Sequence, residues 1–93
     1  MDGIEYDHEL KVAPPYIHAI SSGEKKFEVR RDDRGFQRGH VLWLREYDDK
    51  GTSSRRYTGN SEYVQVDWIL TGGQFGIEPG YVVMSISVID EDT

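Results

Sequence analysis

The feature that most constrains the fold is a set of short runs in which apolar and polar residues alternate. A period of two places the apolar side chains on one face of a strand and the polar side chains on the other. Clusters of glycine, proline and aspartate, which favour turns, separate these runs. The pattern predicts five strands, over residues 8–12, 25–31, 41–47, 62–70 and 81–89.

One segment between the first two strands has the period of a helix instead. Prolines stop the first strand, and they are accepted in a first helical turn because its amides need no intrahelical partner. Tyr16, Ile17 and Ile20 then form one apolar face, and Gly23 supplies a C-terminal stop. We therefore expect one short helix over residues 14–22.

Five strands and one short helix predict a mainly β (α+β) fold, a small barrel of about five to six strands with the helix after the first strand. Barrel closure would protect the strand edges, and an open α+β sheet is the alternative. Trp43 and Trp68 lie in mid-strand, so we expect them in the core. We predict one domain over residues 8–89, between a polar N-terminal end (1–7) and an acidic C-terminal end (90–93).

The charge distribution limits the classes of function. The net charge is −6, which argues against a general nucleic-acid coating protein, since phosphate binding draws on lysine and arginine. All 11 of these residues lie between Lys11 and Arg56, so the fold could present a basic face on an acidic body, or a scattered, solvated pattern. The absence of cysteine, of an apolar run of the ~18 residues that a membrane span needs and of a signal-peptide pattern predicts a cytoplasmic protein.

The segment Gly-Glu-Lys-Lys-Phe-Glu-Val-Arg over residues 23–30 is the strongest candidate for a ligand site. Strand spacing places Phe27 and Val29 on one face, and Lys26, Glu28 and Arg30 on the other. Lys25, at the strand entrance, can turn to either side. Cations on both sides orient a carboxylate, and such a cluster can bind a phosphate or the edge of a base. A cross-strand ion pair without function is the alternative.

An ordered set of segments resembles a known family. Gly23, Lys25, Glu28 and Arg30 match the signature Gly-x-Lys-x-x-Glu-x-Arg of ASCH domains. Further matching segments are His8-Glu9-Leu10-Lys11, Pro15-Tyr16, Asp33 to Leu42, Leu44 to Tyr47, Tyr57-Thr58-Gly59, Ile69 to Ile77 and Gly80 to Met84. Over roughly residues 8–88 the chain is similar to the ASCH/PUA-like superfamily, and most similar to the phage and prophage subfamily catalogued as domain of unknown function 3850.

The resemblance implies a PUA-like β-barrel with a cleft beside the helix, lined by the signature strand. Related domains hold RNA or a flipped modified base in that cleft, so we predict an RNA- or modified-nucleotide-binding domain. The predicted ligand-binding residues are Lys11, Tyr16, Gly23, Lys25, Glu28, Arg30, Arg34, Tyr57, Gln74 and Phe75.

Residues in turns and loops complete this set. Tyr57 and Phe75 lie in predicted loops, where an exposed ring can stack on a base. Glycines around Gln74 and Phe75 permit close approach of a ligand, as in a lid over the cleft. Arg34, in a turn, could bracket a nucleic-acid backbone.

Two other functions remain open. One branch similar to this chain is an amidohydrolase of N4-acetylcytidine, whose site has a lysine at the position of Lys25 and a threonine at that of Glu28. With a carboxylate there, Lys25 and Glu28 would be the catalytic pair of an enzyme that uses Glu28 as base or acceptor rather than as nucleophile. The other alternative is a phage-type protein-interaction module with no nucleic-acid role. The three histidines lack metal-ligand spacing, and we predict no metal site and no cofactor.

Overall fold

The computed structural model describes residues 3–50 and 56–90. Its elements are β1 (His8–Val12), α1 (Tyr16–Ser21), β2 (Phe27–Arg31), β3 (Val41–Tyr47), β4 (Tyr57–Thr71) and β5 (Tyr81–Val88). β1 and β3 have the predicted bounds, and α1 lies within the predicted helix. β4 is longer than predicted, because it begins at Tyr57 and pairs with β3 there. No helix in the two described ranges is long and apolar enough to cross a membrane.

The five strands form one mixed sheet in the order β1-β3-β4-β5-β2. β1 and β3 are parallel, and the other neighbouring strands are antiparallel. The prediction of a mainly β domain with five strands and one short helix is therefore confirmed. The barrel is not closed by a backbone ladder, because within residues 3–50 and 56–90 the two edge strands, β1 and β2, do not pair. The sheet is a half-barrel with a seam between these strands.

Arginine side chains bridge this seam in place of a backbone ladder. Arg30 Nη2 donates a hydrogen bond to the Lys11 carbonyl at 2.6 Å, and Arg34 Nη1 donates to the Glu9 carbonyl at 2.8 Å. Both carbonyls belong to β1, whose outer edge would otherwise be left without donors. The seam is consequently held together while space remains between the two strands.

The hydrophobic core lies on the inner face of the half-barrel. α1 packs against β3 and β4 through Ile17 and Ile20, which are both buried. Alternate residues of the strands complete the core, as the period of two predicts. Its members are Leu10, Val12, Ile17, Ile20, Phe36, Leu42, Leu44, Val64, Val66, Val82, Met84 and Ile86.

The apolar and polar faces of β2 are the reverse of what its sequence suggests. Phe27 and Val29 are about half exposed, whereas Glu28 is only 5 % exposed. The register with β5 is the physical reason, because Glu28 lies opposite Met84, which is fully buried on the inner face. β5 thus decides which face of β2 turns inward, and the charged face of the short edge strand is the inner one.

A β-bulge in β4 overturns the expectation that Trp68 lies in the core. The pairing shifts between Val66 and Trp68, so that Asp67 is an extra residue without a register position of its own in β5. Such an extra residue turns the side chains after it to the opposite faces. Trp68 is therefore 57 % exposed, and Ile69 packs against the core instead.

Trp43 also lies outside the core. The strand alternation itself is as predicted, with Leu42 and Leu44 buried, but Trp43 is on the outer face of β3. Its ring is stacked on Tyr63 of β4 with centroids 5.7 Å apart, as expected for residues opposite each other in an antiparallel pair. The expectation of core packing was wrong for both tryptophans.

Candidate functional site

The open seam between β1 and β2 forms a cleft of about 460 Å³ beside the start of α1. Its volume lies within the range of roughly 300–1,000 Å³ that is usual for small-molecule sites. Its walls come from the end of β1, the start of α1, the whole of β2 and the start of β5. The lining residues are Lys11, Val12, Ala13, Tyr16, Lys25, Phe27, Glu28, Val29, Arg30, Arg31 and Tyr81.

A buried carboxylate with two cations lies in this cleft. Glu28 Oε1 is 2.8 Å from Lys25 Nζ, and Glu28 Oε2 is 2.8 Å from Arg30 Nε. Lys25 Nζ also donates to the Phe27 carbonyl at 2.7 Å. Charged groups are rarely so buried unless they are paired, and here each carboxylate oxygen has its own cation. The ion pairs are what allow the polar face of β2 to turn inward.

The turn after α1 determines where Lys25 lies. The Gly23 amide donates to the Ile20 carbonyl at 3.1 Å, and the Lys25 amide donates to the Ala19 carbonyl at 2.9 Å. Gly23 has φ of +84°, in the left-handed region that glycine adopts at helix ends without a steric penalty. Gly23 is not among the lining residues of the cleft, and it acts through the turn that directs Lys25 into it.

The lining of the cleft is strongly basic. Four cationic residues, Lys11, Lys25, Arg30 and Arg31, contribute to the lining against the single carboxylate of Glu28, although the Lys11 ammonium itself lies over the Tyr47 ring, 4.2 Å from its centroid. Within the described parts of the chain Arg31 has no carboxylate partner, and its guanidinium lies 4.9 Å from the Tyr81 ring centroid. Although the whole chain has a net charge of −6, four of its 11 lysine and arginine residues line this one cleft.

Aromatic rings surround the same charges. Lys25 Nζ lies 5.5 Å from the centroid of Tyr16 and 4.7 Å from that of Phe27. Both rings are about half exposed, so part of each is accessible to a ligand. Tyr81 is the third ring of the lining, and its hydroxyl is 3.3 Å from Arg31 Nη2. The cleft therefore offers cations and ring surfaces together, a combination that suits a planar anion.

Five of the residues predicted from the sequence meet in the cleft, namely Lys11, Tyr16, Lys25, Glu28 and Arg30. Others lie elsewhere. Arg34 contacts β1 on the far side of the seam, and Tyr57 lies on the outer face of the sheet against Arg45. Gln74 Nε2 donates to the carbonyl of Thr71, the last residue of β4, at 2.8 Å, and Phe75 is 81 % exposed. Neither Gln74 nor Phe75 lines the cleft, so their part in binding stays a prediction.

Sequence reasoning did not place Arg31 or Tyr81 in the cleft, and it missed that Phe27 and Val29 line it. Arg31 lies opposite Tyr81 in the β2–β5 register, which brings residues fifty positions apart into contact. No local pattern contains that pairing. The one available signal was that the signature strand continues into a second arginine, which would lie at the same cleft.

A histidine pair lies outside the cleft, at the start of β1. His8 Nε2 and His40 Nδ1 are 3.0 Å apart, and the Gln37 amide nitrogen lies 3.3 Å from the same His40 nitrogen. Burial lowers the pKa of His8 below its usual value of 6.5, and His40 lowers it further. Arg34 also lowers this pKa, whereas Asp7 and Asp32 oppose the shift.

The side chains of the cleft bear on two kinds of chemistry, nucleophilic catalysis and metal binding. The described residues of its lining include no serine, threonine or cysteine, so within residues 3–50 and 56–90 no hydroxyl or thiol nucleophile other than a tyrosine phenol faces the Lys25–Glu28 pair. Nor do the described residues contain a group of three or more histidine, aspartate or glutamate side chains placed to hold a metal ion. The cleft instead presents charged groups, hydrogen-bonding groups and ring surfaces.

A family model described as "Domain of unknown function (DUF3850)" matches residues 7–86. This match covers most of the chain and includes every residue that lines the cleft. No curated protein matches the chain.

Proposed function

The chain belongs to the DUF3850 family, and from the cleft at its seam we propose that it binds a nucleotide of RNA or a modified nucleotide. One observation carries the proposal. The cations of Lys25, Arg30 and Arg31, one buried carboxylate and three aromatic rings line a single cleft on a chain whose net charge is −6. The ASCH-type signature from Gly23 to Arg30 supports the finer assignment to the PUA-like superfamily and its phage or prophage subfamily. The cytoplasmic location is part of the proposal and rests on the cysteine-free composition.

Each part of the cleft has a chemical counterpart in a nucleotide. The Arg31 guanidinium lacks a carboxylate partner in the described part of the chain and would pair with the phosphate. The half-exposed rings of Tyr16 and Phe27 would contact the face of the base. Each Glu28 oxygen has a second lone pair beyond its ion pair, so Glu28 can accept a hydrogen bond from a base amine.

Titration of 15N-labelled protein with UMP, CMP and N4-acetylcytidine to millimolar concentration tests this proposal. We expect amide shift changes at residues 25–31 and at Tyr81, and none at exposed Lys50. Shift changes confined to other surfaces, or no change with any of these compounds, would overturn nucleotide binding at the cleft and favour a protein partner.

Substitution of Arg31 gives a second, independent test. Arg31→Gln should weaken UMP binding about tenfold, the loss expected when a charged hydrogen bond worth about 1.5 kcal/mol is removed. Arg38→Gln is the matched control, because Arg38 is also exposed and lies over an aromatic ring, that of Trp68 at 4.4 Å, but outside the cleft. Equal effects of the two substitutions would show that general charge, and not the cleft, determines binding.

The amidohydrolase alternative has one supporting observation, the 2.8 Å contact between Lys25 and Glu28 inside the cleft. Both Glu28 oxygens are already ion-paired, so Glu28 could act as a base for water only after one of these pairs opened. Chromatography of N4-acetylcytidine after incubation with a high protein concentration separates the two functions. We expect the compound to be recovered intact, and release of cytidine and acetate would establish the hydrolase instead.

A further inference from the structure

Lys11 belongs to two surfaces at once. The residue lines the cleft, but its ammonium lies over the outer face of the sheet, 4.2 Å from the Tyr47 ring centroid and 6.0 Å from that of Tyr57. Tyr47 and Tyr57 face each other across β3 and β4, with their centroids 4.9 Å apart in an edge-to-face contact. The surface therefore continues from the cleft, through Lys11, onto two aromatic rings.

Arg45 extends the same surface. The parallel register of β1 and β3 places Arg45 beside Lys11. Its guanidinium lies 4.0 Å from the Tyr57 ring centroid, while its Nη1 keeps an ion pair with Glu9 Oε2 at 2.8 Å. We call Lys11, Arg45, Tyr47 and Tyr57 the outer ladder. It alternates cations with rings, and none of its members is fully buried.

We propose that the outer ladder is a second subsite, which binds the nucleotide next to the one in the cleft. The ligand is then a single-stranded oligonucleotide and not a free nucleotide, an inference that rests on the proposed function. Single strands are bound by bases stacking on aromatic rings and arginine planes, while cations contact the backbone. Lys11, between the two subsites, is placed to contact the phosphate that links the two nucleotides.

The competing interpretation is that the ladder only stabilises the sheet. Aromatic and cation–ring pairs across neighbouring strands do so in many proteins that bind nothing there. That interpretation predicts that a ligand seated in the cleft causes no change at Arg45, Tyr47 or Tyr57. The two interpretations therefore differ in a measurement that requires no substitution.

The experiment compares UMP with a five-residue oligouridylate on the 15N-labelled full chain. We expect UMP to shift amides of the cleft alone, and the pentanucleotide to shift those of Arg45, Tyr47 and Tyr57 as well. The pentanucleotide should also bind at least about fivefold more tightly, the lower bound for one additional stacked base. If both ligands bind equally and shift only the cleft, the second subsite is overturned while nucleotide binding stands. If neither binds, the proposed function itself fails.

Two substitutions test whether residues of the outer ladder cause the higher affinity for the pentanucleotide. Tyr57→Leu keeps apolar volume but removes the ring, and Arg45→Lys keeps the charge but removes the guanidinium plane. Each should abolish most of the preference for the pentanucleotide over UMP. Lys50→Gln, which removes an exposed cation outside the ladder, should preserve this preference. A preference that survives both ladder substitutions, or that Lys50→Gln reduces equally, would contradict the proposal.

Discussion

At the scale of single residues, Glu28 is the most important residue of the cleft. Its carboxylate lies on the inner face of an edge strand and pairs with both Lys25 and Arg30. Its position in the signature made Lys25, Glu28 and Arg30 predictable as a cluster. Its burial was not predictable, since the inner face of β2 is determined by pairing with buried Met84 of β5. The alternation of apolar and polar residues in a strand shows which residues share a face, but it does not show which face turns inward.

Removal of the Glu28 carboxylate should destabilise the fold. In Glu28→Ala, Lys25 and Arg30 would face each other without an anion, and we expect the free energy of unfolding to fall by about 2–3 kcal/mol. This is less than the roughly 3–5 kcal/mol typical of fully buried pairs, because both cations are partly solvated. Urea denaturation measures the loss. Glu78→Ala, at an exposed position, is the control and should change stability by no more than about 0.5 kcal/mol; equal losses would contradict the role of the ion pairs.

The histidine pair predicts a pH dependence of stability. The pKa of His8 is lower in the folded chain than its unfolded value of 6.5, mainly because of burial. Between these two pKa values the unfolded chain binds more protons, so the free energy of unfolding falls as the pH falls below 6.5. Denaturation at pH 7 and at pH 5 should show this loss, and His8→Gln should reduce it. An unchanged pH dependence in His8→Gln would show that other groups cause it.

At the scale of elements, strands with a continuous pattern could be predicted and the irregular ones could not. β1 and β3 have the bounds that their alternation gives. β4 departs because the bulge at Asp67 reverses its faces after Val66, and because its first residues are polar and gain their strand structure only by pairing with β3. The strand order, with β2 at the edge beside β5, depends on contacts between residues far apart in sequence. The seam, and therefore the cleft, follows from that order.

The β4–β5 connection depends on a close backbone approach at Gly72. A Cβ there would collide with the Glu78 carbonyl oxygen and lie 2.8 Å from the Tyr81 carbonyl oxygen. Gly72→Ala should therefore lower the free energy of unfolding by about 2–3 kcal/mol, since the backbone itself must move. Gly3→Ala, where the nearest heavy atom would be 3.9 Å from the new Cβ, is the matched control. Thermal unfolding of the two variants compares them, and similar midpoints would contradict the geometry of this loop.

At the scale of the whole molecule, the distribution of charge matters more than its sum. The chain is acidic, yet the fold brings the cations of Lys25, Arg30 and Arg31 to one cleft. The sequence indicated that the basic residues are concentrated in the middle of the chain, and the half-barrel explains how the two edge strands bring some of them together. A local positive field of this kind attracts a small anion while the acidic remainder disfavours long nucleic-acid coating.

The affinity for a charged nucleotide should accordingly depend on salt. Raising the salt concentration from about 50 to 200 mM should weaken UMP binding by about two- to fourfold, because part of the attraction is screened. Uridine, which lacks the phosphate, is the matched ligand and should bind with nearly constant affinity. Calorimetry with both ligands measures the difference. Identical salt dependence for UMP and uridine would mean that the cations do not contact the phosphate.

The most direct test of nucleotide binding at the cleft is the amide shift titration with UMP, carried out on the unmodified protein and on the Arg31→Gln and Arg38→Gln variants. We expect saturable shifts at residues 25–31 and Tyr81, about tenfold weaker binding in Arg31→Gln and unchanged binding in Arg38→Gln. Absence of shifts at the cleft in the unmodified protein, or equal weakening by the two substitutions, would contradict nucleotide binding at the seam between β1 and β2.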